Sequence, residues 1–533
     1  MPPGLGQGVP EDDPHALTQY SVDPSGKIRR AGGLNPIMRR RIAAMGEVPE
    51  ATGSGALGQM TPEDAQGAIA PPEDATPLPE EMNENHNRIS TRIPSEPQQK
   101  KTGINAHETN GLSIDYDSMK RAPEALEKNA QLIKTLYPGF EHLRTNDPHK
   151  INEAFINQSA DTLKWLYNKM NTHEDLGPGI VERAKRWYSG ANKIAHSLAQ
   201  EFGVQPFQAA AVLAALSPQK DWYQNVHLAR RVFEAHQLGH NWTMTPEMQK
   251  YSQGYINSLV KEGEEDPKKI GALRQLHEKF KTTPMAQLTD PHERAVFARW
   301  HDEAHNSRDY NIITPEGEMA GKSMIPAKYN KKGVMTQAER TRNVSWGSFN
   351  EIAKAMAALQ NADKPTISRL MGGNHKVRNF YNNIIAPLYG HDVTIDTHAI
   401  AAALLRPLGG SAMEVGHGLG TSAGKGVPGA ANNATVGNRG MYGLYAEAYR
   451  RAAKDLGILP RELQSVTWEG VRGLFSPEQK RNTEFVKHID KIWQNRGQFR
   501  GLTPDERREA IFSHAKGINR PSWAGGVDHG EQD

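Results

Sequence analysis

The stretch QPFQAAAVLAALSPQ, residues 205–219, is apolar on nearly every side of a helix of roughly three turns. A helix that is apolar all round has to be buried, because none of its faces is suited to water. Pro218 ends this helix, and KDWYQNVHLARRVFEAHQ resumes helical spacing directly after it. The sequence therefore predicts a tight corner between two helices, from Ser217 to Asp221.

Other stretches also carry helix start and stop signals. NDPHKINEAFINQSADTLKWLYNKM opens with Asp147 as an N-cap and Pro148 in the first turn, and GPGIVERAKRWYSGANKIAHSLAQEFG ends on Gly203 as a C-cap. One segment, NIITPEGEMAGKSMIPAKYNKKG, has the turn residues and branched flanks of a short hairpin within a long loop. The predicted fold class is all-α, or mainly α, with a small β-hairpin insertion.

Composition divides the chain into unequal parts. Residues 1–110 are rich in Pro, Gly, Glu, Asn and Gln and lack periodicity, so we predict a disordered leader, which includes an arginine cluster between Lys27 and Arg41. Residues 116–240 are predicted to form the first part of a helical domain, 241–345 an insertion, and 346–475 the second part, with a Gly-rich loop. Residues 476–533 are predicted to be a C-terminal tail whose last thirty residues are loosely packed.

Several function classes are excluded or disfavoured. The chain has no cysteine, which excludes disulfides, thiolate zinc sites, iron-sulfur clusters and cysteine nucleophiles. It has no stretch of about 18 apolar residues and no secretory signal pattern, so we expect no membrane segment and a cytosolic location. A net charge of +3 is compatible with a polyanionic partner without requiring one. We predict no cofactor, and the sequence leaves the oligomeric state open.

Two motifs are weak candidates for ligand binding. RWHDEAH places His301 and His305 one helical turn apart, but Asp302 holds the place where the zincin pattern needs glutamate, so a solvated helix face is favoured over a metal site. GTSAGKG in the Gly-rich span has Gly426 after Lys425 and no preceding buried strand, which disfavours a phosphate loop.

The stretch DVTIDTHAIAAALLRPLG places Asp396 and His398 two residues apart, after a β-type run and before an alanine-rich helix. Asp396 is either a helix N-cap or a catalytic acid held at a helix start, and the local residues alone favour the cap. Further polar residues lie at the edges of buried helices, where they need partners. Taken singly, these residues also fit a structural role.

Taken in order, the motifs resemble the helix-hairpin-helix DNA glycosylase superfamily of the endonuclease III and MutY type. The family's buried helix is similar to QAAAVLAALSPQKDWYQNVHLARRVF, its following helix to NHKVRNFYNNI, and its "DTH" motif to TIDTHAIAAALLRPLG. The resemblance spans about Trp187 to Gly410 and implies an all-α fold that flips a base out of DNA.

The sequence departs from the family at the hairpin that gives the superfamily its name. That hairpin normally lies between the NHKVRNFYNNI-type helix and the aspartate, and in some members it carries a Schiff-base lysine. Either Gly372 to Lys376 is a degenerate hairpin, or the hairpin is lost and Lys376 belongs to the preceding helix. Both alternatives stay open, and with them a lyase activity.

The resemblance implies an enzyme that acts on DNA by cleaving an N-glycosidic bond, with Asp396 and Lys376 as catalytic residues. It implies Gln219 as the wedge that fills the space of the flipped base, and DNA contacts from four further residues: Trp222, Asn225, His398 and Arg378.

Two alternatives accompany this prediction. One is a bacteriophage enzyme of thymine hypermodification that transfers an amino acid or polyamine to an activated base. Such an enzyme would bind DNA and, as a second substrate, the amino acid or polyamine. The other is a virion-associated DNA-binding protein without catalysis. All three imply a divergent bacteriophage protein in the host cytoplasm or the virion.

Overall fold

The computed structural model describes residues 20–22, 28–30, 123–261, 267–330, 333–371, 375–389, 391–419, 432–433 and 438–525. These residues are mainly helical, which confirms the predicted fold class at that level. Most of the predicted leader and of the Gly-rich loop, including GTSAGKG, lies outside the described residues. Within the leader, Tyr20–Val22 (β1) and Ile28–Arg30 (β2) pair as antiparallel strands, which we did not predict.

Two hydrophobic cores organise the described helices. The first core takes its buried residues from Ala191 to Ala386. Its helices are α4 (Trp187–Phe202), α5 (Pro206–Ala215), α6 (Trp222–Leu238), α7 (Pro246–Lys261), α8 (Pro267–Thr282), α9 (Pro291–His305), α10 (Phe349–Gln360), α11 (Lys364–Leu370) and α12 (His375–Ile385).

The second core is built from both sides of the first in the sequence, from Leu126 to Ala184 and from Val393 to Trp523. Its helices are α1 (Pro123–Leu136), α2 (Pro148–Thr172), α3 (Ile180–Ala184), α13 (Thr397–Leu404), α14 (Met413–Leu419), α15 (Tyr442–Leu456), α16 (Pro460–Leu474), α18 (Thr483–Trp493) and α19 (Pro504–Ala515). The short helix α17 (Pro477–Arg481) precedes α18 and has no buried residue. The chain therefore passes from one core to the other near residue 187 and again near residue 390, and Trp187 packs against both.

Helix α5 is the buried helix that the sequence predicts. Residues from Ala209 to Ala215 are at most 1% exposed, and α5 packs against α4, α6, α10, α11 and α12. The predicted caps are also present: Asp147 accepts a hydrogen bond from the His149 backbone N at 2.9 Å, and Gly203 ends α4 at φ +64°. Local signals therefore gave these helix ends correctly.

The segment predicted as an insertion is largely part of the first core. Met248, Phe280 and Trp300, on α7, α8 and α9, are all fully buried in that core. Short strands follow, and they form three two-stranded antiparallel pairs, more than the single hairpin predicted. The pairs are β3 (Asn311–Ile313) with β4 (Met319–Lys322), β5 (Met324–Ile325) with β8 (Arg340–Thr341), and β6 (Lys328–Tyr329) with β7 (Met335–Gln337). Residues 432–433 (β9) and 438–439 (β10) form a further pair.

The prediction of a loosely packed C-terminal end is wrong for residues 504–525. Thr503 and Glu506 form a capping box that starts α19, and Ile511, Ile518 and Trp523 are buried in the second core. The sparse apolar residues of this segment were sufficient because each of them reaches that core. Among the described residues, no helix combines the length and apolar character needed to cross a membrane.

Helix α4 packs backbone to backbone against the turn that follows β3, and a glycine makes this possible. A Cβ atom on Gly190 would collide with the carbonyl oxygen of Pro315 and lie 2.8 Å from the backbone N of Gly317. We expect Gly190→Ala to lower the free energy of unfolding by about 1–3 kcal/mol in urea denaturation, because neither backbone can yield easily. The control is Gly254→Ala in α7, where the added methyl group meets open space and should raise stability by about 0.5–1 kcal/mol. Equal effects at the two positions would contradict the contact.

Candidate functional site between the two cores

Asp396 lies where the chain has just entered the second core, at the start of α13. Its backbone is extended (φ −127°, ψ −171°), and its Oδ1 accepts a hydrogen bond from the Ala399 backbone N at 2.8 Å. The predicted N-cap is therefore confirmed. The side chain is half-buried, and the structure gives Oδ2 no hydrogen bond to a described residue, so capping leaves one carboxylate oxygen for another partner.

The segment before Asp396 is held by side chains from two other helices. The Tyr442 hydroxyl of α15 donates to the Val393 carbonyl at 2.8 Å and accepts from the Ile395 backbone N at 2.9 Å. Asn383 of α12 donates from Nδ2 to Thr394 Oγ1 at 2.9 Å. Because this backbone is buried and bonded on both sides, the position of the carboxylate is fixed by the fold.

Two buried tyrosines lie near the Asp396 carboxylate. Burial raises the pKa of the Tyr188 and Tyr449 phenols, and the negative charge of Asp396 raises both further. The Tyr188 hydroxyl donates to Gln464 Oε1 at 2.9 Å, and the Tyr449 hydroxyl donates to the Ala399 carbonyl at 3.1 Å. Both phenols therefore stay protonated at neutral pH.

The predicted corner from Ser217 to Asp221 joins α5 to α6. Asp221 caps α6 by accepting from the Gln224 backbone N at 2.8 Å, and Asn225 donates to the Leu213 carbonyl at 2.9 Å. Between these anchors Gln219 is exposed and adopts φ +56°, a left-handed conformation that costs a residue with a Cβ roughly 1–2 kcal/mol. The corner therefore presents the Gln219 side chain to solvent at a cost in backbone strain.

A row of aromatic rings connects the corner to the surroundings of Asp396. The half-buried Trp222 meets Phe380 edge to face, with centroids 5.8 Å apart, and Phe380 meets Tyr188 in the same way at 6.1 Å. Tyr188 is one of the two buried tyrosines whose phenol pKa the Asp396 charge raises. The two motifs that are far apart in the sequence thus lie along one line of contacts between the cores.

Lys376 lies at the corner as well. It is the second residue of α12, and its Nζ donates to the Ser217 carbonyl at 3.4 Å, across 159 positions of sequence. Of residues 386–396, all described except 390, none is helical. Lys376 therefore lies in the first turn of α12, which both alternatives above allow. Gly372 to Asn374 lie outside the described residues, so the two alternatives stay predictions.

A group of charged residues, here named the basic cluster, surrounds Glu351 beside the corner. Its members are Lys220, Lys354, Arg378 and Glu351 itself: the charges of Lys220 and Lys354 act on Glu351, and that of Arg378 acts on Lys354. Glu351 completes a capping box with Ser348 at the start of α10.

The two central members of the basic cluster have shifted pKa values. Burial raises the pKa of Glu351 to about 7, against the opposing charge of Lys220, and burial lowers the pKa of Lys354 to about 8, assisted by Arg378. An acid and an amine that both titrate near neutral pH are typical of functional sites.

We expect the Lys354 amine to titrate near pH 8, well below the ordinary lysine value of about 10.4. The pKa of Lys354 is lowered because desolvation and the Arg378 charge both disfavour the ammonium form. The measurement is the rate of acetylation of Lys354 against pH, followed by peptide mass spectrometry. Glu351→Gln should move the midpoint lower, since the Glu351 carboxylate favours the ammonium form, whereas Glu447→Gln on α15 should not. A midpoint above about 10 would contradict the desolvation of Lys354.

The remaining predicted DNA contacts are less accessible. Asn225 and Arg378 are at most 1% exposed, so in this conformation neither side chain reaches the surface. His398 is 6% exposed, and it lies against the Trp468 ring at 5.3 Å and accepts from Lys480 Nζ at 3.4 Å. The DNA-binding role of these residues stays a prediction, and what the structure gives them is a place in the packing around the corner and α13.

Sequence reasoning missed Glu351, Lys354, Tyr188 and Tyr442. The stretch SFNE, Ser348 to Glu351, carries the capping-box pattern that marks the start of α10, so the place of Glu351 was available from the sequence. Apart from Lys354 on the same helix, its neighbours in the cluster were not, because Lys220 and Arg378 come from two other parts of the chain.

The histidine pair does not form part of this site. The His301 ring stacks on Trp242 with centroids 4.0 Å apart, and His305 Nε2 lies 2.7 Å from Thr245 Oγ1. Within the described ranges, no group of three or more histidine, aspartate or glutamate side chains is placed to hold a metal ion.

Fold and site together define a mainly helical protein with two cores and a charged, aromatic site between them. Residues 155–302 and 421–474 match the model of a family of unknown function, DUF7178, to which the chain is similar over those two segments. The first segment includes the corner, whereas Asp396 and residues 351–378 lie between the segments. No curated protein and no solved structure matches the chain.

Proposed function

We propose that this protein is a DNA-acting enzyme that flips a base at the corner and cleaves its N-glycosidic bond beside Asp396. The observation that carries the proposal is the meeting of the two motifs: the exposed Gln219, the contact of Lys376 with Ser217, and the ring row from Trp222 towards Asp396. A base-flipping enzyme needs these parts close together. The wedge has to fill the space that the base leaves, and the catalytic carboxylate has to lie beside the flipped nucleotide.

DNA would approach the corner through its phosphates. Lys220 directly follows the exposed Gln219, and Lys376 Nζ donates to the Ser217 carbonyl, so both half-buried lysines belong to the corner that a DNA backbone would pass to bring a base to Gln219. Binding through such contacts weakens with salt, with a slope of about 0.9 in log–log form for each phosphate neutralised.

The chemistry would use the Asp396 carboxylate, whose Oδ1 caps α13 and whose position is fixed by the bonded backbone before it. As the C1′–N bond breaks, its electron pair leaves on the base and positive charge develops on the sugar, which a fixed carboxylate stabilises. The oxygen of a water molecule bonds to C1′, and one of its protons passes to the departing base. Lys376 would take part only in a Schiff-base variant of this reaction, which is the catalytic role that the resemblance implies.

A second chemistry is favoured by the basic cluster. In a thymine hypermodification enzyme, an amine nitrogen bonds to the exocyclic carbon, the bond to pyrophosphate breaks, and pyrophosphate leaves with the electron pair. Several cations beside the corner suit the leaving pyrophosphate, and a carboxyl with a pKa of about 7 suits the base that takes the amine proton. The amine would belong to an amino acid or polyamine.

The test is incubation with ordinary DNA and with DNA that carries pyrophosphorylated hydroxymethyl bases, in the presence of amines, followed by nucleoside mass spectrometry. Free base or abasic sites support the glycosylase, and new nucleosides with released pyrophosphate support the transferase. Salt-sensitive DNA binding without any product would instead support a DNA-binding protein without catalysis, such as one associated with a virion. Each of these proposals includes a bacteriophage origin and action in the host cytoplasm or the virion.

A further inference from the structure

A buried glutamate near the first passage between the cores accepts hydrogen bonds from two indole rings. Glu469 on α16 is 2% exposed, and its Oε1 accepts hydrogen bonds from Trp187 Nε1 at 2.8 Å and from Trp523 Nε1 at 2.7 Å. Trp187 starts α4 at the first passage between the cores, and Trp523 belongs to the short 3-10 turn Ser522–Ala524 that follows α19.

The Trp523 ring fills a slot with the features of a binding site for a flat ring. Trp187 meets it edge to face with centroids 6.2 Å apart, and the Arg183 guanidinium lies 4.7 Å from its centroid. Glu469 receives its N–H at the ring edge. The slot thus offers an aromatic wall, a cation over the ring face and a buried acceptor.

The slot adjoins the candidate site. Ser522 Oγ lies 3.2 Å from the hydroxyl of Tyr223, the neighbour of Trp222 at the corner. On the other side, Trp468, the neighbour of Glu469, has its ring 5.3 Å from the ring of His398, which lies two residues from Asp396. A ring in this slot therefore lies between the corner and the start of α13.

The turn that carries Trp523 is attached mainly by side chains. In the described part of the chain, the last backbone hydrogen bond from this segment to another element is from the Asn519 N to the Gly473 carbonyl at 3.0 Å. The turn's own backbone bonds are internal, and Gly517 and Gly525 flank it with φ of +82° and +84°. Release of Trp523 and Ser522 would free the turn without breaking a helix.

We propose that the slot occupied by Trp523 is a nucleobase-binding site, in which a base with an N–H edge replaces the Trp523 indole, donates to Glu469 and lies under Arg183. Trp523 then acts as an internal competitor that leaves when a base enters. This inference deepens the proposed function, because it names the side chains that receive the flipped base.

Equilibrium dialysis with the four deoxynucleosides tests the slot directly, because free nucleosides do not require DNA binding. The full chain with Trp523→Ala should bind at least one nucleoside about tenfold more tightly than the unmodified chain. Adding Glu469→Gln should weaken that binding about tenfold, since a charged acceptor is replaced by a neutral one. Glu462→Gln, on the same helix but bonded to the Leu459 backbone N, is the matched control and should change nothing.

The proposal is overturned if folded Trp523→Ala protein binds none of the four nucleosides, or if Glu469→Gln leaves their binding unchanged. If Trp523→Ala does not fold, the unmodified Trp523 is kept and Arg520→Cys, exposed and unique in a cysteine-free chain, is labelled with an environment-sensitive dye. A saturable change in emission with nucleoside supports displacement of the turn, and a constant emission overturns it.

The experiments distinguish a failure of the nucleobase-site proposal from a failure of the proposed enzyme function. Nucleoside binding in the slot without any product from DNA would remove the enzyme function and keep the slot. Product formation that is indifferent to Glu469→Gln would keep the enzyme and remove the slot.

Discussion

Asp396→Asn is expected to lower turnover on DNA by about 10²–10⁴-fold while leaving DNA affinity and fold unchanged. Asparagine caps helices about as well as aspartate, and its Oδ1 can still accept from the Ala399 backbone N, so α13 keeps its start. What the substitution removes is the negative charge. The measurements are single-turnover rates and fluorescence anisotropy of labelled DNA.

Two further variants separate the charge from the cap. Asp147→Asn makes the same change at the start of α2, in a cap that is distant in sequence from the corner and α13, and should leave turnover unaltered. Asp396→Ala removes both charge and cap, and should be as inactive as Asp396→Asn but less stable by about 1 kcal/mol. Full turnover by Asp396→Asn would show that the residue serves as a cap alone.

Replacement of Gln219 by a residue with a smaller side chain is expected to reduce base flipping and turnover by about 10–100-fold. Unstacking a base costs a few kcal/mol, and without the Gln219 side chain nothing fills the space that the base leaves. The reporter is the fluorescence of 2-aminopurine at the target position, which rises when the base leaves the stack. Gln219→Ala and Gln219→Gly should lose flipping equally, since neither has a side chain that can fill the gap.

The same pair of variants tests the backbone strain at the corner. Glycine adopts φ +56° without a penalty, so Gln219→Gly should be more stable than Gln219→Ala by about 1 kcal/mol in urea denaturation. If Gln219→Gly flipped the base better than Gln219→Ala, in line with its higher stability, base flipping would depend on the backbone conformation of the corner. The assignment of Gln219 as the wedge would then fail.

Local features of the fold were predictable because each depends on neighbours in the sequence. The all-round apolar character of residues 209–215 required a buried helix, and Asp147, Gly203 and Asp396 cap the helices whose ends they were predicted to mark. Pro218 likewise placed the corner. The prediction of a loosely packed C-terminal end was wrong because scattered apolar residues such as Ile511 and Trp523 show no periodicity in the sequence. Their burial depends on the second core, which is formed by other segments.

The candidate site was predictable only in part. Gln219 and Asp396 were marked by their motifs, and the first is exposed at the corner while the second caps α13. Asn225 and Arg378 look equally polar in sequence but are buried, because burial depends on which helices pack over them. Their partners in space are not encoded in their own segments.

The sequence by itself determined where helices start and stop and which residues are suited to capping or charge. Only the tertiary structure decided that the chain builds its second core from two distant segments, and that Lys376 reaches Ser217 across 159 positions. It alone placed Trp523 beside Trp187 on one oxygen of Glu469. The physical reason is that helix periodicity and capping act over one or two turns, whereas the contacts that assemble a site depend on how all the apolar faces are buried at once.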